Sequence, residues 1–205
     1  MIIVPYLENP RDGVFCYNII MSLYTGKGDD GTTKTFGCDQ RISKSSNIAE
    51  ALGAMDEINS FLGLLKVKAK GLENFSILGK TYDVIIHDVQ KNLFIIQAEL
   101  AGADKTLEEY KLHECEAYVN EAEKILPPIT TFFISGGTEI TALCDISRTI
   151  VRRAERRVVA VHDDNIKAIG KYSLAYMNRL SSLFYVMARL ANHYSGVGEE
   201  APDYK

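Results

Sequence analysis

The sequence predicts an all-α protein, a five-helix up-and-down bundle that forms one domain. Five stretches repeat apolar residues at intervals of three and four, which is the period of a helix with one buried face. Hardly any segment alternates apolar and polar residues, and the one strand-like run is Tyr17 to Leu23. Short connections with Gly or Pro separate the stretches, as expected between antiparallel neighbours in a bundle.

The composition is that of an ordinary globular protein, with 46% hydrophobic and 24% charged residues among 205. A net charge of −4 disfavours nucleic-acid binding, which needs clustered Lys and Arg over a whole face. No run approaches the roughly 18 apolar residues of a membrane span, and the N-terminus lacks a secretory signal pattern. The cysteines show no C-x-x-C spacing, so we expect no zinc site, no disulfide framework and a cytoplasmic location. They are Cys16, Cys38, Cys115 and Cys144.

The chain is predicted to have one domain with short additions at its ends. Residues 1–20 show no periodicity and precede a second methionine at Met21, so we expect a dispensable N-terminal extension. The domain then spans residues 21–196, and residues 197–205 form a C-terminal tail. Residues 24–46 are rich in Gly, Asp, Ser and Thr, which is typical of an ordered polar loop.

The first helix is predicted to follow Asn47, as its N-cap, and to run for about five turns. The second is predicted from Tyr82 to near Gly102, and the third opens at Thr106 with Glu109 three residues on, the signature of a capping box. The later boundaries are a stop for the third helix at Pro127 and Pro128, a fourth helix between Ser135-Gly136-Gly137 and Asp163, and a fifth from about Lys167 to Tyr194.

The loop of residues 25–33 contains a literal G-x-G-x-x-G at Gly26, Gly28 and Gly31. A Rossmann fingerprint needs a helix directly after the third glycine, and the sequence that follows is a poor helix start. No G-x-x-x-x-G-K-[ST] occurs either. The backbone donors, hydroxyls and lysine of the loop can cradle a polyphosphate, although a flexible surface connection is the alternative.

The fourth predicted helix carries five arginines within ten residues. At 100° per residue, Arg148, Arg152 and Glu155 fall close together at the edge of the apolar stripe. Arg153 and Arg157 point elsewhere, and we expect them to be solvated. This row of positive charge is a second candidate contact for an anionic ligand.

Asp56 lies at the margin of the apolar face of the first helix. A carboxylate there can pair with Arg148, or it can simply face water beside Glu57. In the last helix Asn178 interrupts an otherwise apolar run. The four histidines are dispersed singly without ligand spacing, so we expect no protein-held metal.

Four blocks in this order resemble the propanediol-utilisation-type ATP:cob(I)alamin adenosyltransferase family, over about Tyr24 to Asn192. The blocks are YTGKGDDGTT, SKSSNIAEALGAMDEINSFLG, FFISGGTEITALCDISRTIVRRAERRVV and YMNRLSSLFYVMARLAN. The resemblance implies a ferritin-like five-helix bundle, assembled as a homotrimer with active sites between subunits. It implies ATP, Mg²⁺ and a reduced corrinoid as ligands, and a corrinoid reductase and an adenosylcobalamin-dependent enzyme as partners.

The resemblance also assigns roles to residues of this chain. A salt bridge on the corrinoid side falls on Asp56 and Arg148, and the aromatic beneath the corrin falls on Phe132, with Phe133 as the neighbouring alternative. The ATP-binding residues that it implies are Thr25, Gly26, Lys27, Gly28, Asp29, Gly31, Thr32, Thr33, Lys44, Arg152, Glu155, Arg156 and Asn178. The chain departs from the family by placing Gly26 and Asp30 where relatives often carry basic residues.

Two functions are compatible with these features. The first is transfer of the 5′-deoxyadenosyl group of ATP to cob(I)alamin, giving adenosylcobalamin and triphosphate. The second is a carrier or sensor bundle that binds ATP and a corrinoid without chemistry. The presence of the loop, Asp56 and the arginine row together favours the enzyme.

Overall fold

The computed structural model describes residues 2–3, 19–20, 24–35 and 40–204. In these ranges it contains five long helices: α1 (Asn47–Ala69), α2 (Tyr82–Leu100), α3 (Glu109–Ile125), α4 (Glu139–Asp163) and α5 (Lys171–Tyr194). It also contains six two-residue strands: β1 (Ile2–Ile3), β2 (Ile19–Ile20), β3 (Thr32–Thr33), β4 (Ile42–Ser43), β5 (Ser76–Ile77) and β6 (Lys80–Thr81). The predicted five-helix, mainly helical architecture is confirmed.

Helix α4 lies between α1 and α5, and α2 and α3 pack on the outer sides of α1 and α5. Side-chain pairs show that α1 and α4 run antiparallel, because Lys68 pairs with Glu139 at one end and Asn47 bonds Asp164 at the other. Helix α5 is antiparallel to α4, since Thr141 bonds Asn192. This is the up-and-down arrangement of a helical bundle.

The core is formed by the apolar stripes that the periodicity predicts. Those residues are buried or packed directly against the buried cluster. Two buried polar groups of the core have partners: the Tyr82 hydroxyl donates to the Met187 carbonyl at 2.9 Å, and the Asn92 amide donates to the Tyr176 hydroxyl at 2.9 Å. Paired in this way, they avoid the cost of an unsatisfied buried group.

Two predicted helix starts are wrong. Asn47 is the first residue of α1 rather than its N-cap, and its side chain donates to Asp164 at 2.7 Å instead of capping the helix. Thr106 starts no helix and forms no capping box with Glu109, where α3 begins. The intervening Leu107 is buried, so burial of its side chain holds this segment outside the helix.

The start of α5 is also later than predicted, at Lys171 instead of about Lys167. Ile169 is buried, and its N–H donates to His162 at 3.1 Å. The Gly170 N–H donates to the buried carboxylate of Glu99 at 2.7 Å. These contacts turn the chain before the helix begins.

The other predicted boundaries agree with the structure. Helix α3 ends at Ile125, before the two prolines, and α4 begins after the Gly136-Gly137 pair with Thr138 as its N-cap. The Thr138 hydroxyl accepts from the Thr141 N–H at 3.1 Å, which is the bond expected of an N-cap side chain.

The strand content is slightly larger than predicted. Of the strand-like run from residue 17 to 23, only β2 lies in the described ranges, and it pairs with β1 in an antiparallel bridge. Two further hairpins, β3 with β4 and β5 with β6, have no alternating signature because each strand is two residues long.

Cys115 and Cys144 are buried free thiols, while Cys16 and Cys38 lie outside the described residues. Burial raises the pKa of Cys115 to about 12. Within the described ranges no helix has the length and apolar character needed to cross a membrane.

Candidate active site

The glycine loop forms a compact turn that leads into β3. Gly26 and Gly31 have φ of +67° and +78°, in the left-handed region that other residues rarely adopt. The Gly31 N–H donates to the Gly28 carbonyl at 3.1 Å, and the loop then enters the strand Thr32–Thr33. A strand and not a helix comes directly after the third glycine, so this is not a Rossmann turn.

Arg41 organises this loop, a role that the sequence pattern does not predict. Its guanidinium donates to the Thr32 carbonyl at 2.9 Å, to the Thr32 hydroxyl at 2.5 Å and to the Lys27 carbonyl. It also lies 3.6 Å from the Asp30 carboxylate. A single arginine in a polar segment gives no periodic signal, so only the folded loop shows its role.

Asp30 is therefore part of the loop structure. Its carboxylate accepts from the Thr32 hydroxyl at 2.6 Å and from the Thr32 N–H at 3.0 Å. These hydrogen bonds, followed by the charge of Arg41, hold the pKa of Asp30 below its usual range. Asp30 thus occupies a position where the resemblance led us to expect a basic residue, and it uses Arg41 as a local counter-charge.

The two lysines of the loop differ in their contacts. Lys44 is exposed, and its ammonium donates to the Gly28 carbonyl at 2.9 Å, which ties its charge to the loop. Lys27 is exposed as well. Thr25 and Asp29 are exposed as well, while Thr33 is half-buried in β3. The arrangement places the Lys27 and Lys44 ammonium groups and the Thr25 hydroxyl at one exposed loop, which suits a polyphosphate.

The arginines of α4 divide into two groups. Arg153 pairs with Glu57 at 2.6 Å and Arg157 with Glu50 at 3.7 Å, which fixes these two guanidinium groups against α1. Arg152 and Arg156 are exposed and have no hydrogen bond or ion pair within the part of the chain that the structure describes. Two cations are therefore available to an external anion.

Glu155 and Asn178 face each other across the α4–α5 contact. The Asn178 amide donates to the Glu155 carboxylate at 2.9 Å, and its carbonyl accepts from Arg179 at 2.9 Å. Arg179 is in turn bonded to Glu116 of α3 at 2.9 Å. The structure thus brings together two predicted site residues that are distant in sequence and lie on different helices.

The predicted ion pair between Asp56 and Arg148 is absent from the single chain. Arg148 lies 3.6 Å from Asp145 on its own helix and over the ring of Tyr185 at 5.8 Å, while Asp56 is exposed. The antiparallel register explains this, because residue 57 of α1 lies opposite residue 153 of α4. Asp56 therefore lies opposite residue 154, six residues and about 9 Å of axial rise away from Arg148.

Arg148 lines a cavity at the N-terminal end of α4, and its buried Nε has no hydrogen-bond partner. Phe133 lines the same cavity, and its ring lies 5.3 Å from the Arg189 guanidinium. Phe132, the aromatic that the resemblance selected, is 78% exposed. One phenylalanine is thus anchored and its neighbour is presented outward.

The loop and the arginine row lie at different levels of the bundle. The loop leads into α1 where Asn47 meets Asp164, at the C-terminal end of α4. Arg152 is twelve residues earlier on α4, about 18 Å along the axis at 1.5 Å per residue. The single chain therefore does not place Lys44 beside Arg152.

Fold and site define a class: a five-helix bundle with exposed arginines along α4 and a separate cavity whose lining includes Phe133 and Tyr185. A profile of the family described as cobalamin adenosyltransferase matches residues 23–191. The chain belongs to this cobalamin adenosyltransferase family.

Curated relatives support this assignment. A corrinoid adenosyltransferase from Bacillus subtilis strain 168 is 37% identical over 188 residues, covering 87% of this chain and 91% of the relative. The corrinoid adenosyltransferase PduO of Citrobacter freundii is 32% identical over 180 residues. That match covers 84% of this chain but only 50% of PduO, so the chain spans about half the length of that relative.

Solved structures share the fold. A phenylalanine-to-alanine variant of a PduO-type ATP:corrinoid adenosyltransferase from Lactobacillus reuteri, complexed with cobalamin and ATP, has a TM-score of 0.79 and 26% identity. The match covers 88% of this chain and 99% of that one. An arginine-to-lysine variant from the same organism, complexed with ATP, has a TM-score of 0.77 and 26% identity over 88% of this chain and all of that one.

Proposed function

We propose that this protein is an ATP:corrinoid adenosyltransferase, which moves the 5′-deoxyadenosyl group of ATP to the cobalt of a reduced corrinoid. The observation that carries the proposal is the hydrogen-bonded pair of Glu155 and Asn178 beside the uncompensated cations Arg152 and Arg156. It provides polar contacts for a nucleoside where α4 meets α5, and charge for its phosphates on α4. The family and the ligands of the related structures favour the same activity.

The chemistry asks for positioning more than for acid–base groups. Cob(I)alamin is a strong nucleophile, so the protein has to hold the cobalt in line with C5′ of ATP. The leaving group is triphosphate, whose growing negative charge Lys44, Lys27 and Arg152 can stabilise. Mg²⁺ would enter with the phosphates, because such ions need only one or two protein ligands.

The corrinoid is assigned to the cavity end of the bundle. Its lining includes Arg148, whose buried Nε has no hydrogen-bond partner, and the exposed ring of Phe132 lies on the adjacent segment. An apolar wall there would exclude water and displace the lower axial ligand of cobalt. The resulting four-coordinate cobalt(II) is easier to reduce to the nucleophilic state.

We further propose that the active site is completed between subunits of a homotrimer. The separation of about 18 Å along α4 between Arg152 and the level of the loop supports this. The glycine loop of a neighbouring subunit can approach Arg152, whereas the loop of the same chain does not. The absence of an internal Asp56–Arg148 pair fits the same assembly, in which the two residues would meet across an interface. Such shared sites follow from rotational symmetry, since every subunit gives and receives the same groups.

Subunit mixing tests the shared site. Lys44→Ala and Arg152→Ala each remove one of the two contributions to a shared site. In an equal mixture of the two variants that has exchanged subunits, roughly a quarter of the sites should receive both intact residues and regain activity. If each site lies within one chain, mixing restores nothing. Either variant alone, carried through the same exchange protocol, is the control.

The activity itself is tested anaerobically with ATP, Mg²⁺ and chemically reduced cobalamin. Absorbance follows the loss of cob(I)alamin, and chromatography measures adenosylcobalamin and triphosphate. Equal amounts of both products support the transferase. Binding of both ligands without either product would instead indicate a carrier or sensor. The free thiols Cys115 and Cys144 fit the reducing cytoplasm, where we propose that the enzyme acts.

A further inference from the structure

The residues after α5 fold back onto the segment that carries Phe132 and Phe133. We call residues 127–137, between α3 and α4, the connector. The Val197 N–H donates to the Asn192 carbonyl at 2.9 Å, which turns the chain back, and the Ile134 N–H donates to the Glu200 carbonyl at 2.8 Å. The C-terminal residues therefore pack against the connector beside the cavity.

A single guanidinium joins the three segments that meet there. Arg189 of α5 is only 5% exposed and binds Glu199 through two bonds of 2.5 and 2.8 Å. It also donates to the Pro127 carbonyl at 3.0 Å and lies 5.3 Å from the centre of the Phe133 ring. A buried cation is stable only with such partners, so removing Glu199 leaves an uncompensated charge against the connector.

The far end of the connector is fixed independently. The Gly136 N–H donates to the Asp145 carboxylate at 3.1 Å, and its carbonyl accepts from the Asn192 amide at 2.9 Å. With both ends held and Phe133 packed on Arg189, the neighbouring side chain of Phe132 is directed outward. Its 78% exposure is the consequence of this anchoring.

We propose that Arg189 and Glu199 are positioning residues, which hold the connector so that Phe132 stands against the corrinoid. This inference rests on the proposed function for its catalytic consequence. The ion pair touches neither Arg152 nor the Glu155–Asn178 pair, so its loss should spare ATP binding. What it should disturb is the placement of the aromatic wall, and hence turnover.

The test uses two substitutions. Glu199→Gln keeps the shape of the side chain but removes its charge. Arg189→Lys keeps the positive charge but removes the guanidinium that makes two bonds to Glu199. Glu200→Gln is the matched control, because the exposed Glu200 contributes its main-chain carbonyl to the bond with Ile134. A chain ending at Gly198 is the second variant. It removes the Glu199 carboxylate together with the residues that pack against the connector, so Arg189 can be hydrated. Thermal unfolding establishes that each variant is folded.

Two readouts separate positioning from general loss of structure. Hydrogen exchange at the Ile134 amide should become at least about tenfold faster in Glu199→Gln, since a charge-assisted bond that holds the connector is lost. With ATP bound, the absorption signature of four-coordinate cob(II)alamin should weaken and kcat should fall at least about tenfold, while ATP affinity stays within about twofold. Glu200→Gln should match the unmodified protein in every measurement.

Unchanged hydrogen exchange at the Ile134 amide in Glu199→Gln and in the shortened chain would overturn the proposal that Arg189 and Glu199 hold the connector. Equal losses of ATP affinity and kcat would reduce the pair to a structural role and also overturn the inference. If the unmodified protein makes no adenosylcobalamin, the proposed function fails. The exchange measurement still decides in that case whether Arg189 and Glu199 hold the connector.

Discussion

Replacing Arg152 with Ala separates ligand binding from stability. Arg152 is exposed and makes no ion pair within the described residues, whereas its neighbour Arg153 bonds Glu57 at 2.6 Å. A hydrogen bond between a guanidinium and a phosphate is worth about 1.5–3 kcal/mol, which corresponds to a roughly 10- to 150-fold loss of ATP affinity. Alanine favours helix, so α4 should keep its stability.

Arg153→Ala is the matched control, one position further along the same helix. Its ion pair with Glu57 has both side chains about half exposed, at 49% and 50%, so losing it should cost only about 0.2–1 kcal/mol of unfolding free energy. ATP affinity should be unchanged.

Calorimetric titration with ATP and Mg²⁺, together with urea unfolding, measures both quantities for each variant. Arg152→Ala binding ATP like the unmodified protein, or Arg153→Ala losing the same affinity, would show that the division of the arginine row is wrong. A stability loss in Arg152→Ala larger than in Arg153→Ala would also contradict it, because Arg152 would then have a structural partner.

Three further outcomes are expected. Phe132→Ala should lower turnover far more than ATP affinity, as steady-state kinetics and titration will show; equal losses would remove Phe132 from the corrinoid face. Gly137→Ala should destabilise the protein by about 1–3 kcal/mol, since φ is +124° and the new Cβ would lie 2.3 Å from Asn192. Gly198→Ala is the control, because its Cβ would enter open space. Equal melting temperatures for the two variants would refute this prediction. Burial raises the pKa of Cys115 to about 12, so the native thiol keeps a proton that the unfolded chain releases above pH about 8.5. Stability should therefore fall as pH rises from about 8.5 towards 12, and the fall should be shallower in Cys115→Ala; identical slopes would show that this thiol does not contribute.

Local pattern predicted the helices well because each one buries a continuous stripe, and a stripe is visible in sequence. Helix starts were less accurate where tertiary contacts decide them. Thr106 and Glu109 have the spacing of a capping box, yet burial of Leu107 keeps the chain extended there. At the start of α5, the bond from Gly170 to Glu99 has the same effect.

The candidate site was predictable to the extent that its residues carry a local signal. Gly26, Lys44 and the arginine row stand out by composition, and Glu155 and Asn178 stand out by their helical positions. The roles of Glu155 and Asn178 in ATP binding came from the family resemblance. Arg41 could not be found in this way, because its role depends on a turn that brings it to Thr32 across nine residues.

The Asp56–Arg148 pairing failed within one chain for a different reason. The position of a residue at the margin of an apolar stripe shows which face of the helix it lies on. It does not show which residue of the neighbouring helix lies opposite at the same axial level. The level is set by the antiparallel register, which only the folded bundle shows.

Helix α4 sets the axial register of both neighbouring helices. Its Arg153 and Arg157 pair with residues of α1, and its Thr141 and Glu155 bond residues of α5. Inserting one residue in α4 would turn everything beyond it by about 100° and break both matches at once. Homologous chains should therefore vary in length at the α2–α3 turn or the termini, while the spacing from Thr141 to Arg157 stays constant.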